Sequence, residues 1–202
     1  MCEQFGVSKS TIRETLRMLQ RDGLVRSVNG VGSFVTRVLH SDLGRLVTTK
    51  SLINGAGFAD KVEDCRISLT THSPEWEERF EAPGPFVMIE RTRSAEGQPI
   101  VRSLNVLPQA VCGDAFGTTL EGSLLEFLEK KLCIRISYSF SEIAVPRKDN
   151  LRDAAALALL GEETLLLRQM HFDEHDRAIF YSFDYMDNRR IKFFIRRNRT
   201  AE

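Results

Sequence analysis

Residues 5–36 hold a tight glycine turn, one short amphipathic helix and a glycine-rich hairpin in unbroken succession, and few small architectures accept that order. Gly6-Val7-Ser8 reads as a turn that ends on a helix N-cap, with the Ser8 hydroxyl available to a free N–H of the first turn. The helix is expected to run to about Asp22. Ile12, Leu16 and Leu19 recur at i, i+4 and i+7 as its buried stripe, Lys9, Arg13 and Arg17 occupy another face, and Gly23 follows as the stop. Met1 to Phe5 supply little more than one helical turn, so the pattern is the tail of one helix, a turn, and a complete second helix. Leu24–Val28 and Ser33–Thr36 then read as two strands around Asn29-Gly30-Val31-Gly32, which makes a wing. In a helix-turn-helix the start of the second helix meets base edges in the major groove; Ser8, Lys9, Ser10, Thr11 and Arg13 hold those positions. Gly30 and Gly32 let the wing tip approach a phosphate backbone closely.

Charge supports a division. The 202-residue chain has 28 basic and 28 acidic side chains, and this neutral total gives no overall sign of a nucleic-acid partner. Residues 1–37, however, hold six basic residues against three acidic ones. No apolar run reaches membrane-spanning length and no signal peptide is visible, so a cytoplasmic protein is expected. The cysteines, Cys2, Cys65, Cys112 and Cys133, lie too far apart for a zinc site or a disulfide framework, and neither a metal nor a cofactor is expected.

The segment from Phe5 to Val25, FGVSKSTIRETLRMLQRDGLV, followed by GVGSFV ending at Val35, closely resembles the winged helix-turn-helix of the GntR family of bacterial transcription regulators. The resemblance implies DNA contacts from Lys9, Thr11 and Arg13 on the recognition helix and from Gly32 on the wing. The family's winged domain usually opens with a further helix and a longer second one. A start placed too far downstream, a fragment, or a lost DNA-binding function would each account for the difference.

The expected division is residues 1–37 as a partial winged helix-turn-helix, 38–60 as linker and 61–202 as effector domain. Phe86–Arg93 and Ile100–Leu107 flank Glu96-Gly97-Gln98-Pro99 as a hairpin. Ser123 to Glu126 reads as a capping box for a helix to about Leu132, Ile134–Val145 as a strand, and Leu151–Leu160 as a helix stopped by Gly161. Leu165–Phe172, Ala178–Tyr185 and Ile191–Arg197 complete a largely antiparallel sheet, an α+β fold with helices expected on one face. The order of these elements, with ERTR at 90–93, QPI at 98–100, GSLL at 122–125 and IFYS at 179–182, resembles the UTRA effector domain of the HutC-type branch of GntR regulators, which is similar to the chorismate-lyase fold.

In sugar-phosphate-binding members of that branch, arginines at the positions of Arg91 and Arg93 hold the anionic group. The resemblance adds Thr48 or Thr49 and Tyr138, Ser139 or Ser141 as helping hydroxyls, with Glu142 beside them. An arginine fork suits a phosphate or carboxylate. Ser103 and Phe180 stand where sugar-binding relatives tend to carry Glu, which favours another small anion. Phe180, Tyr181 and Phe183 leave room for an aromatic or apolar carboxylate, unless Tyr181 and Phe183 face the core. His171 and His175 have metal-like spacing for a helix, but their setting reads as a solvated hairpin tip. No catalytic residue is assigned. The expected function is a homodimeric, ligand-responsive repressor that binds operator DNA and a small anion. The alternatives are an effector-binding module with a defective DNA-binding half, or a lyase-type enzyme built on Arg91, Arg93 and Glu142.

Overall fold

The computed structural model describes residues 2–21, 25–28, 32–35, 39–55, 57–117 and 119–195. The chain divides into two compact units, Met1–Leu39 and His40–Glu202. In the first, the one-turn helix α1 (Cys2–Phe5) meets Gly6, whose φ of 61° favours glycine, and α2 (Lys9–Arg21) follows. Ser8 caps α2 as expected, its Oγ accepting from Thr11 N–H at 3.2 Å. Within Lys9–Leu19 only Ile12, Leu16 and Leu19 are partly buried, so the stripe lies where the spacing puts it. The strands β1 (Val25–Val28) and β2 (Gly32–Val35) pair antiparallel, with Val25 opposite Val35 and Val28 opposite Gly32. The expected helix stop at Gly23 and the wing-tip Gly30 lie outside the described residues.

The segment read as linker is not featureless. It carries β3 (Leu39–Asp42) and α3 (Thr49–Gly55), which Thr48 caps by accepting from Ser51 N–H at 3.0 Å. Beyond it come β4 (Lys61–Thr70), α4 (Pro74–Phe80), β5 (Phe86–Ala95), β6 (Gln98–Pro108), α5 (Gln109–Cys112), α6 (Leu124–Leu132), β7 (Ile136–Ala144), α7 (Leu151–Leu160), β8 (Thr164–Asp173), β9 (Ala178–Asp187) and β10 (Ile191–Phe194). Six strands form one antiparallel sheet in the order β4-β5-β6-β9-β8-β7. The expected last strand does not join this sheet, because β10 pairs with β3 in a separate ribbon. The β5–β6 hairpin turns at Glu96-Gly97, both at positive φ (53° and 73°), the geometry a two-residue connection needs to match strand twist.

Helices cover both faces of the sheet, where the sequence reading put them on one. Trp76 and Phe80 of α4 and Ala156 and Leu160 of α7 pack on Phe86, Leu104, Val106, Leu166, Tyr181, Phe183 and Tyr185. On the opposite face Cys112 of α5 and Leu124 and Leu128 of α6 pack on Val87, Ile89, Leu107 and Phe180. The split follows from strand alternation, since Leu104, Val106 and Tyr181, Phe183, Tyr185 step by two along their strands. Removing each such large apolar side chain from water contributes about 1.5–3 kcal/mol. The one carboxylate drawn into the first core, Asp153, is fully engaged: it accepts from the Tyr185 hydroxyl at 2.6 Å and from Arg147 N–H at 2.8 Å. The second face is only partly covered, and its remainder holds the site.

Candidate functional site

A cavity of about 520 Å3 opens over the sheet face that α6 leaves free, closed by residues 41–50 and the start of α6. Its floor is set by register. Arg91 on β5 stands opposite Ser103 on β6, and Ser103 opposite Asp184 on β9. Two residues along, Asn105 stands opposite Ser182 and Ser182 opposite Gln169 on β8. His171 then stands opposite Phe180. Period-two alternation therefore lays a polar floor across four strands.

The two arginines are both buried but are not equivalent. Arg93, 2% exposed, makes an ion pair with Asp60 and donates from Nη2 to Gly122 O at 2.5 Å. Arg91 donates from Nη1 to the same carbonyl at 2.9 Å, while its Nε has no partner among the described residues. Burial, then the neighbouring Arg93 charge, lowers the Arg91 pKa to about 10. Arg91 is thus a buried cation without a full counter-charge, which is the costly arrangement an incoming anion offsets. Asp184 faces it across Ser103, and burial raises its pKa despite hydrogen bonds from Ser182, Gln169 and Ser103.

Of the residues named for the effector, Thr48, Thr49, Arg91, Arg93, Ser103, Tyr138, Ser139 and Ser141 line the cavity. Several of their polar groups are already engaged. The Thr48 hydroxyl caps α3, Ser141 donates to Gln169 Oε1 at 2.9 Å, and the Tyr138 hydroxyl donates to Asp176 at 2.7 Å while its ring stacks on Phe172. Two named residues stand elsewhere. Glu142 is outside the cavity wall and forms an exposed pair with Arg168 at 3.6 Å, because the alternation of β7 that points Ser139 and Ser141 inward points Glu142 away. Tyr181 belongs to the opposite core, its ring 5.9 Å from Trp76 and under Arg79. Phe183 goes with it and Phe180 alone of the three faces the cavity.

His171 corrects the sequence reading most. It lies within β8 and not at a hairpin tip, is 4% exposed, and lines the cavity with its ring flat on Phe180. Desolvation holds its pKa down to about 3, so the imidazole is neutral. Only His175 sits in the turn, and among the described residues no group of three or more His, Cys, Asp or Glu is placed to hold a metal ion. Asn105, Ser182, Asp184 and Gln169 were missed as well. The signal that finds them is alternation: polar residues at every second position of strands whose other face is apolar.

In the first unit, Ser8, Ser10 and Thr11 form a hydroxyl cluster at the start of α2, with Ser8 Oγ 2.6 Å from Ser10 Oγ and 2.9 Å from Thr11 Oγ1. They are exposed, as are Lys9, Arg13 and Gly32. The φ of 141° at Gly32 explains why glycine stands there.

The comparisons with known proteins now decide the family. A model of the UTRA domain matches residues 60–192, and one of bacterial regulatory proteins of the gntR family matches residues 1–35. This chain is a GntR-family transcriptional regulator with a UTRA effector domain. It is 24% identical over 204 residues to the HTH-type transcriptional regulator TreR of Bacillus subtilis (strain 168), covering 97% of this chain and 85% of that protein. It is 24% identical over 199 residues to the HTH-type transcriptional repressor NagR of the same organism, covering 92% and 82%. The crystal structure of PhnF from Mycobacterium smegmatis shares its fold with a TM-score of 0.73 at 21% identity, over 98% of this chain and 89% of the other.

Proposed function

We propose that this GntR-family regulator is a cytoplasmic, homodimeric repressor whose operator affinity changes when a small anionic metabolite enters the UTRA-domain cavity. The observation that carries the reading is Arg91, a buried guanidinium on the cavity floor with an unpartnered Nε and an incomplete counter-charge. An anion there gains a charge-assisted hydrogen bond without first stripping water from an exposed side chain. Arg93 holds its neighbour in place through the shared Gly122 carbonyl and takes its own counter-charge from Asp60. Thr48 and Thr49 begin α3 at the cavity wall, so a bound anion acts on the segment that leads back toward the DNA-binding residues. The repressor assignment follows the description of NagR. Dimerisation follows from the two-fold symmetry of paired half-sites, which a helix-turn-helix reads with two recognition helices. Among the described residues no helix is long and apolar enough to cross a membrane.

The test is a gel shift on DNA from the protein's own promoter with a panel of small phosphates and carboxylates. Coupling of about 1–3 kcal/mol changes operator affinity about 5- to 150-fold. Replacing Arg13 by Ala weakens operator binding and leaves anion binding intact; Arg91→Met does the reverse. Operator affinity untouched by the first exchange removes α2 from the reading, and an anion response that survives the second removes the cavity.

A further inference from the structure

Arg91 accounts for one end of the cavity, and the floor continues from it across β6, β9 and β8 to His171. There the hydrogen bonds fix a tautomer. The Ser182 hydroxyl donates its single proton to Asp184 Oδ2 at 2.8 Å, and the same Oγ lies 3.2 Å from His171 Nε2. An oxygen whose proton is committed elsewhere can only accept at that second contact, so Nε2 carries the imidazole hydrogen. The ring cannot turn to exchange its nitrogens, because it lies on Phe180 with centroids 3.9 Å apart and planes 11° apart. Nδ1 is therefore a bare lone pair, and it has no partner among the described residues. One strand pair away, Asn105 Nδ2 is a buried donor equally without an acceptor. Both residues line the cavity and are about 95% buried, at 4% and 5% exposure. A buried polar atom left unpaired costs about 1–3 kcal/mol, so two of them side by side in a ligand-sized cavity describe what is absent from it.

We infer that this end of the cavity is a subsite for an uncharged hydroxyl or amide group of the effector, which donates to Nδ1 of His171 and accepts from Nδ2 of Asn105. The inference rests on the reading of the cavity as the effector site and adds the class of ligand to it: an anion whose far end bears hydroxyl or amide functions. A plain aliphatic or aromatic carboxylate satisfies Arg91 and leaves both buried atoms unpaired. Three strand spacings separate β5 from β8, about 14 Å, and the arginine side chain covers part of that span. A chain of about six carbons covers the rest.

The experiment uses the full chain labelled with nitrogen-15 at histidine, and two probes equal in charge and carbon number, sorbitol 6-phosphate and hexyl phosphate. In the free protein the His171 proton is expected on Nε2. Sorbitol 6-phosphate is expected to shift the Nδ1 resonance and to bind at least about tenfold more tightly than hexyl phosphate. His171→Phe keeps the stack on Phe180 and abolishes that preference. Should the variant not fold, Ser182→Ala, which frees the tautomer, is expected to reduce the preference as well. A proton on Nδ1 in the free protein overturns the inference, as does equal affinity for the two phosphates. Binding that requires Arg91 and ignores the hydroxyls overturns the inference and leaves the effector reading standing. Binding that survives Arg91→Met, or no binding of either phosphate, overturns both.

Discussion

The two faces of the six-stranded sheet are built from the same strands and solve opposite problems. On the face under α4 and α7, aromatic rings close on one another around Trp76, and the buried Asp153 has a partner at each oxygen. On the face under α6, an apolar patch gives way to a floor of Arg91, Asn105, Ser182, Asp184 and His171. Five buried side-chain atoms lack a partner among the described residues; three belong to cavity-lining residues and a fourth to Asp60, which holds Arg93. The comparison teaches where stability and binding reside. One face is satisfied by the chain itself, and the other is left unsatisfied in a pattern that a ligand completes, at a cost in stability that functional sites commonly carry.

The largest expected effect breaks the satisfied face. Trp76 is 2% exposed, packs on Tyr181 and Phe183 with ring centroids 5.9 Å away in each case, and lies beneath Arg79 and Arg152. Replacing it with Ala is expected to cost about 3–5 kcal/mol by the lost transfer energy and the cavity left behind. Urea unfolding measures this. If the two faces are independent in function, anion affinity in the folded protein stays at the parental value; a loss of affinity at temperatures where the variant is folded would show that the faces are coupled.

A smaller effect comes from the unsatisfied face. His171 titrates near its ordinary 6.5 in the unfolded chain and is held to about 3 in the fold by burial, with Asp184 reaching it only through Ser182. As pH falls below 6.5 the unfolded chain takes up a proton that the folded imidazole refuses. The stability present at neutral pH is therefore lost toward pH 3, at about 1.4 kcal/mol per pH unit from this residue. In His171→Phe that component disappears, and urea midpoints between pH 6.5 and pH 4.5 should fall less steeply than in the parent. An unchanged slope would mean that the imidazole is protonated inside the fold.

Much of this architecture is legible in the chain, and the misses share a cause. The α2 stripe, the β5–β6 hairpin and the bounds Leu151–Leu160 of α7 follow from spacing, caps and glycine positions, which are local. What fails is long-range. Ile191–Phe194 has the composition of a sheet strand, yet its partner is β3, in a segment with too little apolar periodicity to announce a strand. Ser123 stands at the N-cap of α6 as its motif predicts, but its side chain makes no cap hydrogen bond and lines the cavity instead. The site divides the same way. Arg91 and Arg93 are found because they share a face, whereas their inequality depends on Asp60, more than thirty residues earlier, which no spacing rule connects to them. His171 is misplaced because its neighbours Asp173 and Glu174 look like a turn, and the strand runs two residues further than composition suggests.

The smallest expected change in stability comes with the largest expected change in binding. Arg91 sits in the cavity floor with one carbonyl partner, a like charge beside it and an unpaired Nε. Replacing a buried, incompletely paired charge by an apolar side chain of similar length is often neutral or stabilising, because the desolvation of the ion is no longer needed. Arg91→Met is therefore expected to unfold at a urea midpoint no lower than the parent's while it loses the anion response. The same exchange at Arg93 strands Asp60 with a buried, uncompensated charge, and so works as the internal contrast: equal in chemistry, one strand step of two away, and expected to be destabilising. If Arg91→Met proves as destabilising as Arg93→Met, the unpaired atoms of the floor are satisfied within the chain, and the distinction between the two faces of the sheet loses its physical basis.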